Sequence, residues 1–151
     1  MQTVIAAEKT PTPFFVLGAA GLLPFVAGAA AIWALPDEYH PCLRQWILGY
    51  AMVILAFVGA LHWGVAMQTR QAAAGRVWTA AGWSVLPALV AWLALALDGA
   101  TALRVLAGMF ALDYAMDRWL ARNFVVPPWY LRLRGSLTAV AVATLLIASV
   151  R

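Results

Sequence analysis

Three kinds of side chain in this sequence can hold or exchange a proton inside otherwise apolar runs. His62 lies in "FVGALHWGVAM", and Asp113 and Asp117 lie in "VLAGMFALDYAMD". Ser84, in "GWSVLPALV", can donate a hydrogen bond to either. Imidazole titrates at roughly pH 6.5 when unperturbed, so His62 is the natural proton carrier of the set. The two acids are four residues apart and share one helical face, while Tyr114 and Arg118 share the adjacent one. One histidine and two carboxylates can in principle bind a metal or perform acid–base chemistry. A metal site, however, normally brings a second histidine or a cysteine cluster. His40 and the lone Cys42 fall ahead of the run that carries His62, on the opposite side of the membrane. No GxSxG, HExxH or paired-cysteine spacing is present. No catalytic residue, metal or cofactor is therefore assigned, and an enzyme is not expected.

The elements that must carry these groups follow from composition. The 151 residues are 65% hydrophobic and only 11% charged, against roughly 25% charged in soluble domains. Mean hydropathy is +0.85. A soluble fold of this size cannot bury so much apolar surface, so the solvent must be a bilayer. The pI near 9.8 is read as the basic cytoplasmic rim of a membrane protein rather than as a nucleic-acid surface. Arginine outnumbers lysine nine to one, and alanine is abundant, a composition typical of bacterial proteins from GC-rich genomes.

Five apolar runs stand out, at about 14–35, 46–67, 77–97, 101–119 and 131–150. They are continuous and too long for transmembrane strands, and their connections are short. The fold class expected is all-α: a single transmembrane domain over 1–151, built as a five-helix bundle. Glu8 and Lys9 precede the first run, Pro24 interrupts it, and the small residues 27–31 imitate a cleavage site; it is taken as an uncleaved span. Lys9, Arg70, Arg76, Arg118, Arg122, Arg132 and Arg134 fall on one side. Arg44, Arg104 and Arg151 fall on the other, with Asp37, Glu38 and Asp98. The charge bias puts the N-terminus inside and the C-terminus outside a bacterial inner membrane.

The fourth run is the anomalous one. Eight uncharged residues separate Arg104 from Asp113, or roughly 12 Å of helix, in a hydrocarbon layer roughly 30 Å thick. Asp113 must then lie within the membrane, facing protein rather than lipid. Counting from Arg70, Arg122 and Arg76 places His62, Asp113 and Ser84 at one level of the cytoplasmic leaflet. Pro24 and Pro87 kink their helices and free the carbonyls of Ala20 and Trp83 near that level. Gly59 and Gly64 on the second run offer close packing. "GLLPFVAGAA" and "SVLPALVAWL" loosely echo each other, as in parallel repeats.

Before the last run, "NFVVPPWYLRLRGS" breaks and restarts the chain at its two prolines. Trp63, Trp129 and Tyr130 suit the headgroup region. Arg132 and Arg134 are expected to snorkel to phosphates, the alternative being that Arg132 turns inward to Asp117 or Asp113.

The sequence resembles the transmembrane-protein-69-like family of bacterial and mitochondrial multi-pass proteins over nearly its whole length. The resemblance rests on "LGAAGLLPF", "FVGALHWGVAM", "SVLPALVAWLAL", an acid-bearing fourth helix and "PPWYLRLRGSLT". His62, Trp63 and Gly64 match a His-Trp-Gly signature, and Trp129, Tyr130, Leu131 and Arg132 match a second block. It implies a five-helix inner-membrane architecture and specifies no mechanism.

Two functions are weighed. Small size and short loops favour an accessory, assembly or interaction protein in the lipid bilayer, partnering a larger membrane complex or copies of itself. The alternative is a small-molecule, lipid or proton-binding protein using the His62/Ser84/Asp113/Asp117 cluster. No matching chain of polar residues occupies the outer leaflet, which argues against a through-going channel.

Overall fold

The structure, a computed structural model, describes residues 9–68 and 73–151. Glu8 and Arg70, used above to judge the first run and to count depth, lie outside the described residues. Helix dominates, and there is no strand among the described residues. Among the described residues, four helical stretches are long and apolar enough to cross a bilayer: Thr12–Ala34, Asp37–Gln68, Ala74–Ala96 and Pro128–Val150.

The first stretch is two helices, α1 (Thr12–Ala20) and α2 (Leu23–Ala34). Pro24 has no N–H to return to the Ala20 carbonyl, and its ring fits the first turn of a new helix. The chain therefore restarts at Leu23 instead of merely kinking. The Tyr50 hydroxyl donates to the Gly21 carbonyl at 2.8 Å and ties this break to the next helix.

That helix, α3 (His40–Gln68), follows a single 3-10 turn at Asp37–Tyr39. It begins six residues before the apolar run, because Pro41 is tolerated in a first helical turn and "HPCLRQ" contains nothing that stops a helix. Then come α4 (Ala74–Leu93) with a 3-10 turn at Ala94–Ala96, α5 (Gly99–Asn123) and α6 (Pro128–Val150). The Asp98 carboxylate accepts from the Thr101 amide at 3.0 Å and caps α5. Pro127 and Pro128 end the connection to α6, with Pro128 opening that helix.

Helices α2, α3, α5 and α6 close a ring, each packing on the next, and α4 lies against α3 and α5. The α5 helix is long enough to span but carries Arg104, Asp113, Asp117, Arg118 and Arg122, so composition alone sets it apart. It is also the most enclosed helix, packed by α3, α4 and α6. The outside of the bundle is apolar, with Trp46, Trp78 and Leu17 each more than 70% exposed, as a lipid-facing surface requires.

Two aromatic–aliphatic cores fill the bundle. Phe25, Ile32, Leu55, Leu106, Phe110 and Leu145 anchor the larger. Ala66, Ala80, Leu120 and Phe124 form the smaller, toward the other end. On α3 the cores are bounded by Val58 and Ala66, and on α5 by Phe110 and Leu120. His62 and the acid pair occupy those two gaps.

Candidate functional site

Gly59 sets the spacing on which the site depends. A Cβ there would stand 2.7 Å from Pro87 Cγ, so only glycine lets α3 and α4 approach this closely. Its carbonyl also lies 3.0 Å from His62 Nδ1, one turn along α3. One glycine thus makes room for the neighbouring helix and partners the imidazole. Gly64, by contrast, faces open space: a methyl group there would have nothing within 4 Å, so it is not a packing glycine.

From α3 the imidazole reaches both acids of α5. Nδ1 is 3.8 Å from Asp113 Oδ1, and Nε2 is 3.3 Å from Asp117 Oδ1. The second is an ion-pair distance without hydrogen-bond alignment, and Nε2 has no hydrogen-bond partner among the described residues. All three residues are 0% exposed. The remaining carboxylate oxygens are met from α6. Arg134 Nε donates to Asp117 Oδ2 at 2.8 Å, and its Nη2 donates to Asp113 Oδ2 at 3.0 Å. The Tyr130 hydroxyl donates to Asp117 Oδ1 at 2.7 Å, and from α4 the Trp83 indole donates to Asp113 Oδ1 at 3.1 Å.

The pattern follows from helix periodicity. Asp113 and Asp117 are one i,i+4 pair, and Tyr130 and Arg134 are another. The short connection at 124–127 makes α5 and α6 an antiparallel hairpin. Asp117 then falls level with Tyr130, and Asp113 with Arg134. The two pairs interlock like rungs.

Several expectations need correction. Arg134 does not snorkel: it is 7% exposed, and its guanidinium forks between the two acids. Arg132, considered for that inward role, is exposed instead. Burying two carboxylates without a cation costs more than withdrawing one arginine from phosphate, so the acids draw the arginine in. Tyr130 likewise turns its hydroxyl inward, and Trp129 is buried, its ring 5.1 Å from that of Phe14. Trp63 stays half exposed. Ser84 is buried, but its hydroxyl donates to the Ala81 carbonyl of its own helix at 2.6 Å. Trp83, beside it, supplies the donor from α4. Pro87 continues α4 without a break, unlike Pro24, so the two Leu-Pro segments are not structurally equivalent.

Among the described residues, no group of three His, Cys, Asp or Glu side chains is disposed to hold a metal ion. Arg134 occupies the bridging position between the carboxylates where a cation would sit. The arrangement can hold charge and a proton in a dry place.

These features define a polytopic helical membrane protein with an enclosed ion network between its helices. The chain belongs to the family described as "Protein of unknown function (DUF3429)", whose match runs over residues 10–150. It is 37% identical over 141 residues to Transmembrane protein 69 of Xenopus tropicalis, covering 93% of this chain and 54% of that protein. The chain thus spans about half the length of that curated relative, and the transmembrane-protein-69-like resemblance holds over nearly all of it. No solved structure matches this chain.

Proposed function

We propose that this chain is an accessory or assembly protein of a bacterial inner membrane, in which the buried network is a proton-holding lock rather than a conduction path. In this reading the chain is one domain with five spans, N-terminus inside and C-terminus outside. The observation that carries it is the enclosure of His62, Asp113 and Asp117, each 0% exposed and held from four helices at once.

Charge balance argues for the proton. Two carboxylates and one guanidinium leave a net negative charge when the imidazole is neutral. An uncompensated charge in so dry a place is costly, and one added proton cancels it. His62, between the two acids, is placed to carry or share that proton.

Five spans are supported by α5 itself. Its two acids, Asp113 and Asp117, lie where α3, α4 and α6 enclose them, and its arginines Arg104, Arg118 and Arg122 are exposed nearer the two ends, which is how a charged helix is accommodated in a bilayer. With so little mass outside the helices, the surface left for a partner is the lipid-facing one. The partner reading is tested by extraction into native lipid particles followed by mass spectrometry of everything retained. A membrane protein in stoichiometric amount is expected. Recovery of this chain with lipid alone would overturn the accessory role.

A further inference from the structure

The break between α1 and α2 opens a partly enclosed cavity of about 130 Å³ against α3, α5 and α6. Its walls are apolar, including Leu17, Phe25, Phe57 and Phe110, and its polar end holds Arg134 and Thr138. Leu17 and Phe57 are more than 60% exposed, so the cavity is reached from the lipid-facing surface. Thr138 is 6% exposed, yet its Oγ1 has no hydrogen-bond partner among the described residues. A helical threonine ordinarily bonds a carbonyl of the preceding turn. Thr144 on the same helix does so, at 2.9 Å to Val140. An orphaned buried hydroxyl costs stability unless something else satisfies it.

We propose that this cavity binds the head of an uncharged, carbonyl-bearing amphiphile dissolved in the bilayer, with Thr138 donating to the carbonyl oxygen. The volume approaches that of a dry cavity of about 150 Å³ known to accept a benzene ring, so one ring or a short run of chain fills it. The tail leaves past Leu17 and Phe57 into lipid. Charge selects a neutral ligand. Arg134 already donates Nε and Nη2 to two carboxylates, so an anion at this end would face those acids across one shared cation. A carbonyl accepts a hydrogen bond without adding charge. Water alone is a poor occupant, since the walls offer it few polar partners. The site shares Arg134 with the proton-holding arrangement at one end and uses none of His62, Asp113 or Asp117.

The same chemistry is offered by two membrane sources, a quinone ring and a fatty-acyl ester. The test titrates purified full-length protein in detergent micelles with a short-tailed benzoquinone, a fatty-acyl methyl ester and the corresponding free fatty-acid anion. Thr138→Val keeps shape and removes the hydroxyl; Ala141→Leu fills the cavity. Subtracting the Ala141→Leu signal removes partition into the micelle, and helical content with thermal midpoint verifies folding of both variants. Saturable binding of either neutral compound is expected, weakened about fivefold by Thr138→Val, the worth of one hydrogen bond. Whichever neutral compound binds identifies the source. Preference for the anion, no saturable binding of any compound, or binding unchanged in folded Thr138→Val would overturn the proposal.

Discussion

Arg134 on α6 and Asp117 on α5 meet through a 2.8 Å hydrogen bond from Nε to Oδ2, and the same guanidinium reaches Asp113 at 3.0 Å. One cation therefore serves two buried acids. Two points decide its worth: neither acid has solvent to fall back on, and each leans on Arg134 for its second oxygen.

Removing the cation should be severe. Arg134→Met leaves the two carboxylates with only the shared proton to offset them, and breaking a buried pair costs about 3–5 kcal/mol. Arg134→Lys keeps the charge but cannot fork between two acceptors, so an intermediate loss is expected. Thermal unfolding of detergent-solubilised protein should rank wild type above Arg134→Lys above Arg134→Met. A wild-type midpoint in Arg134→Met would show that the network does not hold the bundle.

The proton itself can be seen. Nitrogen NMR of the His62 ring and carbon NMR of the two carboxyls at neutral pH should find one member of the trio protonated beyond a neutral imidazole. Neutral His62 with both acids ionised would defeat the lock as proposed.

Gly59 and Pro87 should be coupled. Gly59→Ala puts a methyl against the Pro87 ring, and overpacking of this kind costs about 1–3 kcal/mol. Pro87→Ala removes Cγ and Cδ and should recover part of the loss in the double variant. Strict additivity of the two substitutions in a double-mutant cycle would mean the contact is not limiting.

Depth and helical face were legible in the sequence, and position around a helix only in part. Apolar run length was enough to expect helices in a membrane, because a bilayer admits few other structures. Helical spacing put Asp113 and Asp117 on one face, and depth counting put His62 near them. The inward-facing arginine was missed because charge bias runs along the chain and says nothing about position around α6. Arg134, Thr138, Ala141, Leu145 and Ala148 are buried at alternating steps of four and three, a stripe that Arg132 does not join. Following that stripe of small and apolar residues would have turned Arg134 and Tyr130 inward. No comparable signal separates Trp83 from Ser84. They are adjacent, and the register of α4 against α5 decides which reaches Asp113.

At the α5 entrance, acid should weaken the cap. Hydrogen bonds from the Thr101 hydroxyl and amide hold the exposed Asp98 carboxyl below its ordinary range. A depressed value means that Asp98 contributes stability above its unfolded pKa and loses it as pH falls through the folded one. The thermal midpoint should therefore decline only as pH falls below the ordinary aspartate range, and Asp98→Asn should lack that component. Parallel acid profiles for both proteins would remove Asp98 from the account.

Cys42 provides the test of topology, because it is exposed and stands at the start of α3 on the side expected to lie outside. It is the only cysteine in the 151 residues, so no substitution is needed to make it a reporter. In intact cells, a membrane-impermeant maleimide should label it without prior lysis. Inside-out vesicles should protect it until detergent is added. A cysteine at Arg122→Cys, in the last turn of α5, should show the opposite pattern when Cys42 is replaced by serine. That pair of results requires α5 to end on the cytoplasmic face, two crossings beyond α3's own exit, and so makes α5 a true span despite its charges. If Cys42 and Arg122→Cys were labelled from the same side, α5 would return without crossing. The network would then sit at a re-entrant hairpin, and the four apolar stretches would be the only spans.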